Sequence, residues 1–225
     1  MAVQRQEETH LSSASLLGMF AFSLALNGFG NGLTVAMNLG SALWTSSAVN
    51  LSHAFGVSLL AVLLVEGVAV VIFNTCVLRH VDWRRIIGNF VYMIPFSFLV
   101  SGFAYVLKMT PIVAFPLWAR VAIDLFGILC IGCATSIYQR INVVLHPNDD
   151  FMQILRFHFL KGNAAIAQPT SFVPPIIIDL LCLFFTRQLY AVNIGTLFSL
   201  VAQGAIVGVA DKRVFPKLKH RHLQV

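Results

Sequence analysis

Charge is what this sequence has least of. Asp, Glu, Lys and Arg together make up 11% of its 225 residues, against about 25% in a soluble domain. So thin a supply excludes an ordinary solvated surface, and it makes every ionisable group inside an apolar run a candidate for a role. Cysteine is scarce as well. All four (Cys76, Cys130, Cys133 and Cys182) lie inside apolar stretches, which argues against a disulfide framework. Cys130 and Cys133 read as two small residues one helical turn apart. His53, His146 and His158 lack partners at metal-ligand spacing, so neither a metal nor a cofactor is expected. Gly28-Phe29-Gly30-Asn31-Gly32 follows no strand and sits in an apolar run, so it reads as close helix packing rather than a dinucleotide loop. No nucleophile, base and orienter stand at recognisable spacing, so catalysis is not expected. The mixed-charge start MAVQRQEETHLSSAS carries no cleavable signal pattern.

Hydrocarbon is what it has most of. The chain is 58% hydrophobic with 19 Phe, and its mean hydropathy is +0.82. This composition implies an integral membrane protein, whose first partner is the lipid bilayer. The net charge of +6 does not point to nucleic acid, because the basic residues sit between apolar spans and in the tail.

A transmembrane helix needs about 20 mostly apolar residues. Six runs qualify: Leu16 to Ala36, Val57 to Leu78, Ile86 to Leu107, Phe115 to Tyr138, Ala164 to Phe185 and Leu189 to Ala210. The fifth contains Gln168-Pro169-Thr170-Ser171, a potential loop or unwound turn, so a five-span chain is the alternative. Basic residues favour six. Twelve Lys and Arg fall on the side of the N-terminus (Arg5), the 79–85 and 139–163 connections and the tail, and three on the other. The richer side belongs in the cytoplasm, with both termini there. Trp44, Trp83 and Trp118 fall near span ends, where interfacial rings belong.

Internal similarity organises the spans. Met37-Asn38-Leu39-Gly40 through Thr45 aligns with Ile141-Asn142-Val143-Val144 through Asp149 at an offset of 104, and Ile87-Gly88-Asn89-Phe90 with Ile194-Gly195-Thr196-Leu197 at 107. Three spans per half reverses the second half in the membrane, a construction common in secondary transporters. The expected fold is an all-α polytopic membrane protein with six transmembrane helices as two inverted three-helix repeats. These are residues 16–107 and 115–210, flanked by a cytoplasmic segment (1–15) and a basic tail (211–225).

On this scheme the polar stretch INVVLHPNDDFMQ is the cytoplasmic member of a pair of connections. Pro147 is expected to break the fourth span. Asn148, Asp149 or Asp150 would cap a following helix whose apolar face (Phe151, Ile154, Leu155, Phe159) lies along the inner leaflet. A ligand or ion role for Asp149 or Asp150, or a gating contact, is the alternative.

The motifs Asn38-Leu39-Gly40-x-x-x-Trp44, x-x-Pro147-x-Asp149 and Ile194-Gly195-Thr196-Leu197 resemble those of the YczE-type family of small bacterial membrane proteins, in the YczE/YyaS/YitT group. The resemblance spans residues 15 to 210. It implies a multi-pass protein of the bacterial cytoplasmic membrane and, more loosely, a permease. Leu43, Thr45 and Val144 stand where that family often has proline, aspartate and glycine, so no role of the first-half aspartate carries over.

Ionisable groups within a span cost about 2.5–3.5 kcal/mol to insert and are functional candidates by default. Glu66 and Asp179 read as proton, cation or substrate contacts, or as hydrogen-bonded carboxyls joining helices. Asn27 and Asn31 share a helix face, lining a cavity or bonding across helices. Asn38, Asn142, Asp149 and Asp150 complete the candidate binding set. Arg120 and Asp124, four residues apart, are expected to form a structural ion pair. The function these features imply is a transporter or permease of an unknown small solute, with its site between the repeats, acting alone, as a homodimer or with partner subunits. Two alternatives remain. One is the substrate-binding component of an energy-coupling-factor importer, suggested by Ala21-x-x-x-Ala25. The other is a non-transporting membrane regulator or scaffold.

Overall fold

A computed structural model describes residues 12–216 and residue 218; Arg5, Lys217, Lys219 and Arg221, counted above for topology, lie outside the described residues. The described residues form nine α-helices in order: α1 (Ser13–Met37), α2 (Leu43–Phe55), α3 (Leu59–Leu78), α4 (Trp83–Lys108), α5 (Leu117–Ile141), α6 (Pro147–Ile154), α7 (Ala164–Ser171), α8 (Val173–Thr186) and α9 (Ile194–Arg213). A 3-10 turn (Pro111–Ala114) precedes α5, and a π turn (Leu155–Phe159) continues α6. The described residues contain no strand. Among the described residues six helical segments are long and apolar enough to cross a membrane, with α7 and α8 together forming the fifth. The protein is an all-α polytopic membrane protein.

Proline chemistry shapes that fifth span. Gln168–Ser171 is helical, and the break falls at Phe172. Pro174 and Pro175 occupy the first turn of α8, where a missing N–H leaves no bond unmade. The helix is therefore interrupted at Phe172 and restarts within one crossing.

Glycines set how closely the spans approach. A β-carbon on Gly30 would lie 2.7 Å from the Gly127 carbonyl oxygen, and one on Gly127 would lie 2.9 Å from that of Gly30. This is the crossing of α1 and α5. Gly28 and Gly32 face the opposite way, against Leu99 and Phe103 of α4. The Gly-x-Gly-x-Gly run thus wedges α1 between α4 and α5, as small residues do where no hydrophobic drive exists between helices in lipid. Outward, Val65, Ile72, Val91, Phe98, Phe185 and Val201 are exposed, as a lipid-facing surface requires.

Each half ends its first helix in the same way. Asn38 closes α1 at φ 51, ψ 39, and Asn142 closes α5 at φ 48, ψ 37, both left-handed. Asn tolerates this conformation better than most residues. Five residues beyond each Asn the next helix begins, α2 at Leu43 and α6 at Pro147. These short helices exchange sides: α2 packs on α8, and α6 on α3.

Several expectations require correction. Pro147 does not end the fourth span. Asn142 does, and Pro147 opens α6 in the first turn. The cap of α6 is His146, whose Nδ1 accepts from Asn148 N at 3.3 Å, not Asn148, Asp149 or Asp150. Nor does α6 lie on the leaflet surface, since Pro147, Asp150, Phe151, Met152 and Ile154 are buried. Trp83 and Trp118 are exposed at helix starts, but Trp44 turns inward, its ring edge-on to Phe151 at 6.4 Å.

Candidate functional site

The polar interior starts on α1. Asn31 Nδ2 donates to Asn27 Oδ1 (2.9 Å), and Asn27 Nδ2 donates to the Tyr92 hydroxyl (2.8 Å). Thr45 Oγ1 on α2 donates to Asn31 Oδ1 at 2.6 Å. The next two residues of α2 reach two acids. Ser46 donates to Asp179 Oδ2 (2.7 Å) and Ser47 to Glu66 Oε1 (2.8 Å). Asn50, one turn on, donates to Asp179 Oδ1 at 2.7 Å. The Thr45-Ser46-Ser47-x-x-Asn50 face of α2 is therefore a row of donors serving α1, α3 and α8.

A second network lies across the core. Tyr138 donates to Asp149 Oδ2 at 2.6 Å and Gln139 Nε2 to Asp149 Oδ1 at 3.3 Å. Tyr138 and Tyr92 stand edge to face at 4.9 Å. His146 is wedged against Tyr92 and Phe96, with ring centres 5.6 and 4.8 Å away. Burial pushes the His146 imidazole down to about 3, so it is neutral at physiological pH. Burial and the neighbouring Asp150 push the Asp149 carboxyl up to about 6, against the bonds from Tyr138 and Gln139.

Between the networks lies a cavity of about 430 Å³, within the range of about 300–1,000 Å³ typical of small-molecule sites. Both halves of the chain line it. Asn27, Asn31, Thr45 and Glu66 come from the first; Tyr138, His146, Asp149, Gln203 and Asp211 come from the second.

Of the sequence candidates, Asn27, Asn31, Glu66 and Asp149 meet in this cavity. The others serve elsewhere. Asp179 ties α2 to α8. Asp150 pairs with Arg85 of α4, Nη2 to Oδ1 at 2.6 Å, and accepts from Asn89 at 3.3 Å. Asn38 and Asn142 are helix ends, and Asn38 Oδ1 also accepts from Ala191 N at 3.2 Å. The expected Arg120–Asp124 ion pair is not formed. Arg120 Nη2 donates to the Met37 carbonyl at 2.5 Å, capping α1, while Asp124 faces Gly195 with Oδ1 buried and unbonded. Two residues four apart share a helix face, but α1 offers Arg120 an orphan carbonyl at closer reach.

Trp44, Thr45, Tyr138, His146 and Gln203 were not singled out as site residues in the sequence. Gln203 was detectable as a lone large amide in the last span. Arg140, read only as a topology charge, is buried and donates to the carbonyls of Val214 (2.7 Å), Phe215 (3.0 Å) and Leu218 (3.1 Å). It thereby holds the chain leaving α9.

Fold and cavity together define the class: a polytopic membrane protein with a chamber of mixed polar and apolar lining. The chain belongs to a family of unknown function (DUF6198), whose model matches residues 15–212. No curated protein and no solved structure matches it.

Proposed function

We propose that this chain is a small-solute permease whose binding site is the central cavity, built between two inverted repeats of three spans. The observation that carries the reading is the lining: polar side chains from both halves converge on one chamber of otherwise apolar wall inside an apolar bundle. Transporter sites lie at such repeat interfaces, flanked by discontinuous helices. The equal left-handed ends at Asn38 and Asn142 support the repeat, as does the exchange of α2 and α6 between halves. Both termini are placed in the cytoplasm on the charge count, and kinship with the YczE group remains part of the proposal.

The test is mild purification with mass spectrometry of bound small molecules, followed by uptake of any enriched molecule into proteoliposomes. Saturable uptake lost in Glu66→Gln supports the permease. Stoichiometric recovery of ATPase and membrane subunits would replace it with the importer-component reading.

A further inference from the structure

We infer that the cavity takes a small organic cation, an amine or quaternary ammonium, held by the carboxyl groups of Glu66 and Asp149. The inference deepens the permease reading and rests on it for the solute's passage, though not for its binding.

Acidic side chains outnumber basic ones on the wall. Glu66 and Asp149 line the chamber beside Asp211, whose charge Arg140 meets at 3.3 Å, and the basic side chain on the wall is Arg156. Arg156 is engaged at its own helix end, with Nε donating to the Gly162 carbonyl at 3.0 Å and its guanidinium 4.9 Å over the Phe157 ring. His146 adds no positive charge, being held neutral by burial. The Gln203 and Asn148 amides also line the chamber, each with one donor group and one acceptor. Ser47 supplies the one side-chain donor seen at Glu66, whereas an ionised carboxylate accepts about four.

Acceptors without donors inside a bundle are costly. A ligand bearing N–H groups or positive charge relieves that cost, and an anion compounds it. Trp44, Phe96, Tyr138 and Phe172 complete the wall with aromatic rings, which attract a desolvated cation through their faces.

The experiment uses the purified full chain in detergent, titrated with putrescine, tetramethylammonium, erythritol and glutarate, and read by thermal shift and calorimetry. Saturable binding of either cation is expected, weakened tenfold or more in Glu66→Gln and in Asp149→Asn. Binding should be unchanged in Asp179→Asn, which lies outside the cavity. Failure of both cations to bind overturns the inference, and so does cation binding that survives both cavity variants. Proteoliposome flux separates the two readings. A bound cation that is not carried keeps the cation site and sinks the permease. Flux of erythritol without cation binding does the reverse.

Discussion

Gly40 and Gly195 meet backbone to backbone across the two halves of the chain. A β-carbon on Gly40 would lie 2.6 Å from the Gly195 Cα and 2.3 Å from the Thr196 nitrogen. Gly40 also holds φ +135, which L-residues rarely adopt. Around the contact, Ser41 N donates to the Ala191 carbonyl and to Thr196 Oγ1, and Gly195 N donates to the Leu39 carbonyl. The connection after α1 is thus laced to the start of α9. Gly40→Ala should cost about 2–4 kcal/mol, from overpacking on backbone that cannot yield plus the strained φ. Gly208→Ala, with open space around it, should be neutral or gain up to about 1 kcal/mol from helix propensity. Denaturant unfolding in detergent reads both, and equal effects would refute the close contact.

Glu66 and Asp179 looked alike in the sequence, and the structure separates them. Asp179 accepts one bond from Ser46 and one from Asn50 and stays clear of the cavity. An Asn there can still accept from Asn50 while donating to the Ser46 hydroxyl. Asp179→Asn should therefore cost under about 1 kcal/mol, and Asp179→Ala about 1–3 kcal/mol, because the buried Asn50 amide loses its acceptor while Ser46 keeps the Leu43 carbonyl at 2.8 Å. Glu66→Gln should leave stability within about 1 kcal/mol, since Ser47 keeps its acceptor, yet impair solute binding. Stability and binding measured on the same three variants check this division. A binding defect in Asp179→Asn equal to that of Glu66→Gln would contradict it.

The spans were legible because hydrocarbon length is a one-dimensional property. Five of the six were clear from long apolar runs with few charges, and the basic-residue asymmetry carried the fifth through its prolines. The aligned motifs at Asn38 and Asn142 were visible as residue types. Their physical meaning, a left-handed helix end, was not, because Asn27, Asn31, Asn50, Asn74 and Asn89 sit inside helices and the residue type alone does not mark an end. What the sequence could not yield is which motif touches which. Asn38-Leu39-Gly40 meets Ile194-Gly195-Thr196 of the other half, while Val144 lies against Gly88. Pairings at such separations are set by tertiary packing. The same limit explains Arg120. Helical spacing offered it Asp124, and packing offered it the end of α1. It also explains α6, whose apolar residues fit a membrane surface as well as a protein groove.

Asp149 and His146 should oppose each other in acid. Asp149 has its folded pKa raised from 3.8 to about 6, so it stabilises the fold below 3.8 and loses that contribution as pH rises through 6. His146 has its folded pKa lowered from 6.5 to about 3, so its contribution is present above 6.5 and is lost as pH falls through 3. Between pH 4 and 6 the two slopes cancel, each being up to about 1.4 kcal/mol per pH unit. Asp149→Asn should unmask stability that rises with pH across this window, and His146→Gln stability that falls with it. Arg85, Asp150 and the two tyrosines are common to all three proteins, so differences from wild type isolate the pair. Unfolding midpoints at pH 4, 5 and 6 measure them, and parallel profiles would refute both assignments.

Arg85 and Asp150 join α4 to α6 through a tie whose two ends are unequally buried. The Asp150 side chain is 3% exposed and that of Arg85 22%. Removing the cation strands a buried carboxylate with only Asn89 beside it; removing the anion leaves a guanidinium that reaches water. Arg85→Met should therefore cost about 2–4 kcal/mol, and Asp150→Leu about 1–2 kcal/mol. With both changes no charge is left unpaired, and apolar residues of similar volume pack well in place of an ion pair, so the double variant should return to within about 1 kcal/mol of wild type. The sign of the coupling in this cycle decides the matter. Additive losses would mean the pair is screened and idle. A recovered double variant would mean the tie is a matched pair, and that α6 keeps its seat on α3 without it.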